Sequence, residues 1–170
     1  MRRVYYNAQG PSKSSRLTVD TGAKALKESH MIGAMIAKVK SAKAMDALNR
    51  RDIPAFLADY ADDAIFFFPG MVSASGTFRG KKAIQEWLSK FLDQFPKYTF
   101  AVKNVCVRNI LTLGATNAVA IEWEFSYTNR QGTQDVNKGA TVIDIRKGKI
   151  VRAQVYIGFD ATAQKKAWGE

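Results

Sequence analysis

The sequence predicts an α+β domain, with helices first and then a curved antiparallel sheet that wraps around them. Three observations carry this. Ile84, Trp87, Leu88, Phe91 and Leu92 fall at i, i+3, i+4, i+7 and i+8, which is one face of an amphipathic helix. Ile121, Trp123, Phe125 and Tyr127 alternate with Glu122, Glu124, Ser126 and Thr128, the period of a strand with one buried face. Helical spacings come early and strand spacings late, so the two kinds of element segregate rather than alternate.

The elements follow in order. Met31, Met35, Ile36, Val39, Met45 and Leu48 recur at steps of three and four, and predict a first helix that Asn49 to Asp52 interrupt. Asp52 is a good N-cap. Pro54 then sits in the first turn of a second helix, where its missing N–H costs little. That helix carries Phe56, Leu57 and Tyr60 and is expected to end at Ala61-Asp62-Asp63. Ala64 to Phe68 is a short apolar run stopped by Pro69-Gly70, and reads as a buried strand. Residues 70–80 are rich in Gly and Ser and read as a loop. The helix carrying Trp87 follows and stops at Phe95-Pro96.

Strands fill the remainder. Tyr98, Phe100 and Val102 share one face, while Val105 and Val107 are out of phase with them, so a bulge is expected near Lys103-Asn104. Asn129 to Gly132 supplies a turn after the strand of Trp123. Thr141, Ile143 and Ile145 alternate with Val142, Asp144 and Arg146. Lys147-Gly148 makes a tight hairpin into a last strand from Lys149 to Phe159.

The chain has 170 residues, one cysteine, one histidine and a formal charge of +11. A lone Cys106 excludes an internal disulfide framework, and a lone His30 excludes multi-histidine zinc sites. There is no long apolar run, so no membrane span is expected. The charge raises nucleic acid or an anionic membrane as partners. Yet residues 1–45 hold nine Lys/Arg against Asp20 and Glu28, a net of +7, and the rest of the chain has a net of only +4. Residues 1–30 read as a basic, flexible extension, and residues 31–170 as the domain. The domain shows no groove-reading motif, so nucleic acid is not expected as its partner. No apolar segment marks a secretory signal, and a cytoplasmic location is expected.

Three blocks carry a resemblance. Met45 to Asp52 followed by Leu57 to Ala64 forms the first, Gly76 to Ile84 the second, and Asp144 to Val151 the third. In order and spacing the sequence resembles the SnoaL-like and ketosteroid isomerase-like families of the nuclear transport factor 2-like (NTF2-like) superfamily, over roughly residues 35–160. The resemblance implies a cone-shaped NTF2-like fold whose mouth opens into an apolar pocket. It implies a homodimer through the outer sheet face. Relatives include isomerases, cyclases, dehydratases and epoxide hydrolases, and also proteins with no chemistry, so the fold alone does not give the function.

The resemblance also lets the known chemistries be tested residue by residue. Ketosteroid isomerisation needs a base beside a carbonyl and donors for the enolate. The tyrosine position falls on Ala44, the base on Phe68 and the oxyanion acid on Thr141, so all three polar functions are missing. The carboxylate positions of SnoaL-like cyclases fall on Val155 and Gly158, with Gln154 and Asp160 nearby. Dehydratase chemistry of this superfamily uses paired histidines, which the domain lacks. Epoxide hydrolysis needs an Asp-Arg-Asp cluster, and Asp144 and Arg146 share the face opposite Ile143 and Ile145. No catalytic residue is therefore assigned, and no metal or cofactor is expected. Cys106 is expected as a buried thiol.

Strand parity places Phe66, Phe68, Trp123, Phe125 and Tyr127 inside, and the helix adds Trp87 and Phe91. Tyr60, Thr141 and Tyr156 are candidate polar handles. Two readings remain open: these aromatics fill a core, or they line a ligand cavity. Glu122 and Glu124 are expected on the outer face. A carboxyl of Glu122 or Asp160 inside a cavity would overturn the reading of an acid-poor site. The function expected is a small-molecule pocket protein that binds, isomerises or cyclises a hydrophobic polyketide, steroid-like or aromatic ligand, with Tyr60, Phe66, Phe68, Trp87, Phe91, Trp123, Phe125, Tyr127 and Thr141 as binding residues. The alternative is a non-catalytic protein-interaction module.

Overall fold

The computed structural model describes residues 39–108, 117–158 and 160–170. The expectations for residues 1–30, for His30, for Met31, Met35 and Ile36, and for a strand end at Phe159 lie outside the described residues. The first described helix, α1, runs through 39–49. Met45 and Leu48 are buried in it, whereas Val39 is exposed. It ends in a reversal at Arg51, with φ of 62°. Arg51 N–H donates to the Leu48 carbonyl and Asp52 N–H to the Ala47 carbonyl, the paired bonds of a left-handed helix cap. A side chain at positive φ costs about 1–2 kcal/mol. The Arg51 guanidinium offsets this by donating to the carbonyl of Leu92 at 2.8 Å and to that of Phe95 at 3.3 Å.

Helix α2 is Ile53–Leu57, and the Asp52 carboxylate accepts from Ala55 N–H at 3.0 Å as the N-cap. It is shorter than expected. Tyr60 does not belong to it but opens strand β1, Tyr60–Phe68. Tertiary pairing overrides the helical spacing here. Ile150 N–H donates to the Asp59 carbonyl and the Lys149 ammonium to that of Ala58, and Tyr60 pairs with Ile150. The Gly/Ser segment is also more ordered than expected. Gly76–Arg79 forms strand β2, antiparallel to β1, with Phe78 opposite Phe66. The Trp87 indole N–H donates to the Ala74 carbonyl at 2.8 Å and holds this connection over the next helix.

That helix, α3, is Lys81–Gln94, and it buries Ile84, Trp87, Leu88, Phe91 and Leu92 as the spacing predicts. Strands β3 (Lys97–Val107), β4 (Asn117–Thr128), β5 (Gln134–Arg146) and β6 (Lys149–Ile157) follow. The pairing of β3 with β4 shifts register between Val102 and Asn104, where the bulge is expected. The sheet order is β2-β1-β6-β5-β4-β3. Neighbours are antiparallel except β1 and β6, which run parallel, so the sheet is not purely antiparallel. A last helix, α4, spans Ala161–Trp168 and is not expected from the spacing. Among the described residues no helix is long and apolar enough to cross a membrane.

The register shift also explains one wrong expectation. Once the bulge turns Val105 and Val107 inward, Cys106 must face outward, and it is exposed rather than buried. Tyr156 is likewise exposed, because Val155 and Ile157 take the inward positions of β6. Strand β3 is an edge of the sheet, and Asn49 of α1 partly satisfies it. The Asn49 amide donates to the Phe100 carbonyl at 2.9 Å and accepts from Phe100 N–H at 2.7 Å.

Candidate functional site

The concave sheet face, α1, α3 and α4 enclose a cavity of about 770 Å³. Its orientation follows from which lining residues meet solvent. Lys40, Lys43, Asp46, Arg50, Asp59 and Gly148 are at the surface, so the mouth lies between α1, α2 and the β5–β6 hairpin. Phe95, Ala167 and Trp168 form the opposite end, the floor. Strand β1 runs from the mouth at Tyr60 to the floor at Phe68, about 26 Å of extended chain.

The walls are aromatic because the period-two strands and the apolar stripe of α3 face one another. Phe66 and Phe68 of β1 approach Trp87 with ring centroids at 4.6 and 5.0 Å. Trp87 stacks on Phe91 at 5.6 Å, and Phe100 meets Phe125 at 4.5 Å. The Trp123 indole N–H donates to the Thr141 hydroxyl at 3.0 Å, which satisfies the indole. Of the nine expected binding residues, Tyr60, Phe66, Phe68, Trp87, Phe91, Trp123, Phe125 and Thr141 line the cavity. Tyr127 does not. It is buried between the rings of Phe95 and Phe125, at 5.0 and 5.1 Å, and opens onto a separate surface groove beside Asp135.

Tyr60 is the distinctive polar group. It is buried at the cavity wall, and burial pushes its phenol well above the ordinary value. Among the described residues its hydroxyl has no hydrogen-bond partner, an expensive state for a buried donor unless something else accepts from it. Ser41 and Asn137 are buried polar residues that also line the cavity. Asn137 shares strand parity with Thr141, so the signal for it was present in the alternation. Trp168 comes from a helix that the spacing did not reveal.

Among the described residues, acids are kept out of the interior. The carboxylates that line the cavity, Asp46 and Asp59, are at the mouth, ion-paired with Arg50 and with Lys40 (3.4 Å) respectively. Glu122 is exposed and accepts from the Asn104 amide at 2.6 Å. Glu124 lies between Lys103 and Lys138, at 3.4 and 4.0 Å. Asp160 is the N-cap of α4, where its carboxylate accepts from Ala163 N–H at 2.8 Å. Asp144 pairs with Arg152 away from the cavity. Among the described residues no three His, Cys, Asp or Glu side chains gather to hold a metal. Ala44, Phe68 and Thr141 do line the cavity, so the positions that carry ketosteroid chemistry in the resembled family are at the wall without its functional groups.

Comparison with known proteins matches residues 42–153, about two thirds of the chain, to the family model described as a SnoaL-like domain. A search of curated protein sequences found no match. Among solved structures the fold is similar to that of Bal32a from a soil-derived mobile gene cassette, at 14% identity and a TM-score of 0.69, covering 80% of this chain and 98% of that one. It is similar to TerC co-crystallised with polyporic acid, at 18% identity and a TM-score of 0.64, covering 79% and 98%. An NTF2-like protein from Anabaena variabilis ATCC 29413 matches at 22% identity and a TM-score of 0.61, covering 76% and 91%. Identities this low establish a shared fold and nothing finer.

Proposed function

The chain belongs to the SnoaL-like domain family, and from that premise we propose that its cavity binds an uncharged, hydrophobic small molecule carrying a carbonyl or hydroxyl oxygen. The observation that carries the reading is the buried Tyr60 hydroxyl, without a hydrogen-bond partner among the described residues, at the wall of a cavity of about 770 Å³. That volume lies within the range of small-molecule sites. The aromatic walls supply apolar contact, which favours flat or polycyclic aromatic, polyketide-like or steroid-like bodies. The interior carries no charge among the described residues, so a buried ionic group on the ligand would stay unpaired at high cost. The similarly folded TerC was co-crystallised with a small organic molecule, polyporic acid, which is compatible with a fold that takes a ligand.

The chemistry open to this site is limited. The Tyr60 phenol donates to a ligand oxygen and so polarises a carbonyl. It does not accept a proton from the neighbouring carbon, and no histidine or buried carboxylate stands ready to do so among the described residues. The reading is therefore ligand binding, and no acid–base role is assigned to any described residue. The test is a panel of neutral aromatic ketones, phenols and steroid-like ketones in thermal-shift and calorimetric titrations. Saturable stabilisation by at least one class is expected, and no response to any of them would sink the proposal.

We also propose that two copies pair through the outer sheet face. Phe67, Val136 and Tyr156 point outward from the neighbouring strands β1, β5 and β6 and are exposed apolar groups. Sedimentation should show a dimer that Tyr156→Lys dissociates. A monomeric wild-type chain at high concentration would refute the pairing.

A further inference from the structure

The C-terminal helix α4 and the residues that end the chain after it are fastened to the domain by polar contacts from three separate segments. The Gln164 amide donates to the Pro69 carbonyl at 2.6 Å. The buried Asn129 amide donates to the carbonyls of Lys166 and Ala167 at 3.1 and 3.0 Å. Gln94 of α3 donates to the Ala167 carbonyl at 2.9 Å. The Glu170 carboxylate accepts from Ser73 N–H at 2.8 Å. The fit is tight around Gln164. Gly70, at φ of 110°, would place a Cβ 1.8 Å from the Gln164 amide oxygen. These bonds satisfy carbonyls at the end of the helix and fix its position against the ends of β1, α3 and β4.

What this position presents to the cavity is the Trp168 ring. Its centroid lies 5.3 Å from Phe95, 5.7 Å from Phe68, 6.2 Å from Trp87 and 6.3 Å from Phe91. All of these rings line the cavity at the end away from its open mouth. Helix α4 lies beyond the residues matched by the family model, which stop at 153. Most of the wall residues lie in the matched part of the chain, and the closing ring comes from a helix outside it.

We infer that Trp168 is the specificity-determining floor of the cavity and sets the maximum length of ligand that it accepts. The inference rests on the pocket reading above and adds a residue to it. A ligand entering between α1 and the β5–β6 hairpin travels along β1 past Tyr60 and stops at the indole. Apolar contact accumulates along that path, and it ends where the ring stands. The floor is held by hydrogen bonds as well as by the packing of Ala167 and the indole, and the hydrogen bonds are expected to keep α4 in place when trimming the indole lengthens the cavity.

The experiment uses 4-n-alkylphenols from ethyl to nonyl, titrated calorimetrically into the full-length wild type, Trp168→Phe and Trp168→Ala. In the wild type each added methylene should raise affinity roughly fourfold until the tail meets the indole, and then the gain stops. Trp168→Phe should move that stop by about one carbon and Trp168→Ala by several, given the ring volumes removed. Affinities for the short phenols should stay within about twofold of wild type. Should the alanine variant fail to fold, the phenylalanine variant still carries the test, since it retains an aromatic wall. An identical stop in wild type and a folded variant would overturn the inference and leave the pocket reading intact. Absence of binding by any alkylphenol to the wild type would overturn the inference, and the pocket reading falls with it only if the aromatic and steroid-like ketones also give no response.

Discussion

Tyr60 concentrates the argument at the residue scale. Among the described residues its hydroxyl is buried without a partner, so removing it should relieve a desolvation cost rather than break a bond. Tyr60→Phe is expected to leave the unliganded protein as stable as wild type or about 1 kcal/mol more stable, measured by urea denaturation. The same change should weaken binding of a ketone ligand by about two- to tenfold. A ligand that loses nothing on this substitution would not be using the phenol. Burial raises the Tyr60 phenol above its ordinary value, and Tyr98 and Tyr127 are raised for the same first reason. Unfolding returns each to about 10. Their contribution is therefore complete below about pH 10 and is lost as the pH climbs toward the raised folded values. Denaturation midpoints should fall above pH 10, and less steeply in Tyr60→Phe. The sequence showed Tyr60 as a polar handle but placed it in a helix. Its helical spacing from Phe56 and Leu57 is real, and only the bonds from Lys149 and Ile150, ninety residues away in the chain, turn it into the start of a strand.

At the scale of elements, legibility depended on whether a segment carries its own period. Helix α3 and strand β4 bury their apolar residues at repeating intervals, and both stand where the spacing puts them. Strand β2 has four residues and its partner supplies the evidence for it, so the Gly/Ser composition hid it. Helix α4 has eight residues and buries only Gln164 and Ala167 outright. Its signs were at the ends rather than in the middle: an N-cap at Asp160 and a left-handed glycine at Gly169, φ 75°. Reading Asp160 as a possible pocket acid masked the first of these. The two roles make opposite predictions. Asparagine caps as well as aspartate, so Asp160→Asn should leave both stability and ligand affinity at wild-type values. A catalytic or ligand-binding carboxylate would not tolerate that change. Asn129→Ala should behave differently. It removes the donor to Lys166 and Ala167 and the acceptor for Thr133 N–H, in a site almost closed to solvent. A loss of about 2–3 kcal/mol is expected in urea denaturation, with α4 the first segment to lose amide-exchange protection.

For the molecule as a whole, the sequence disclosed the enclosure better than its contents. Parity along β1 and β4 and the stripe of α3 are local properties, so the inward residues were legible one strand at a time. Whether those rings meet and fill the centre or stand apart around a cavity depends on the curvature of six strands together, which no local spacing encodes. The same holds for charge. The +11 of the whole chain suggests an electrostatic partner, yet the cavity interior is uncharged among the described residues and the cations at its mouth include Lys40 and Arg50, each paired with an acid. If apolar contact and the Tyr60 bond hold the ligand, affinity should not depend on ionic strength. A ligand at a hundredfold excess over Kd should stabilise the protein by about 2.7 kcal/mol, a rise in Tm of roughly 10 °C for a domain of this size. That rise should persist from about 0.05 to 1 M sodium chloride, a range over which the screening length shrinks several-fold. A stabilisation that collapsed with salt would place the binding energy on the mouth and the basic segments, and would favour the interaction-module reading over the pocket.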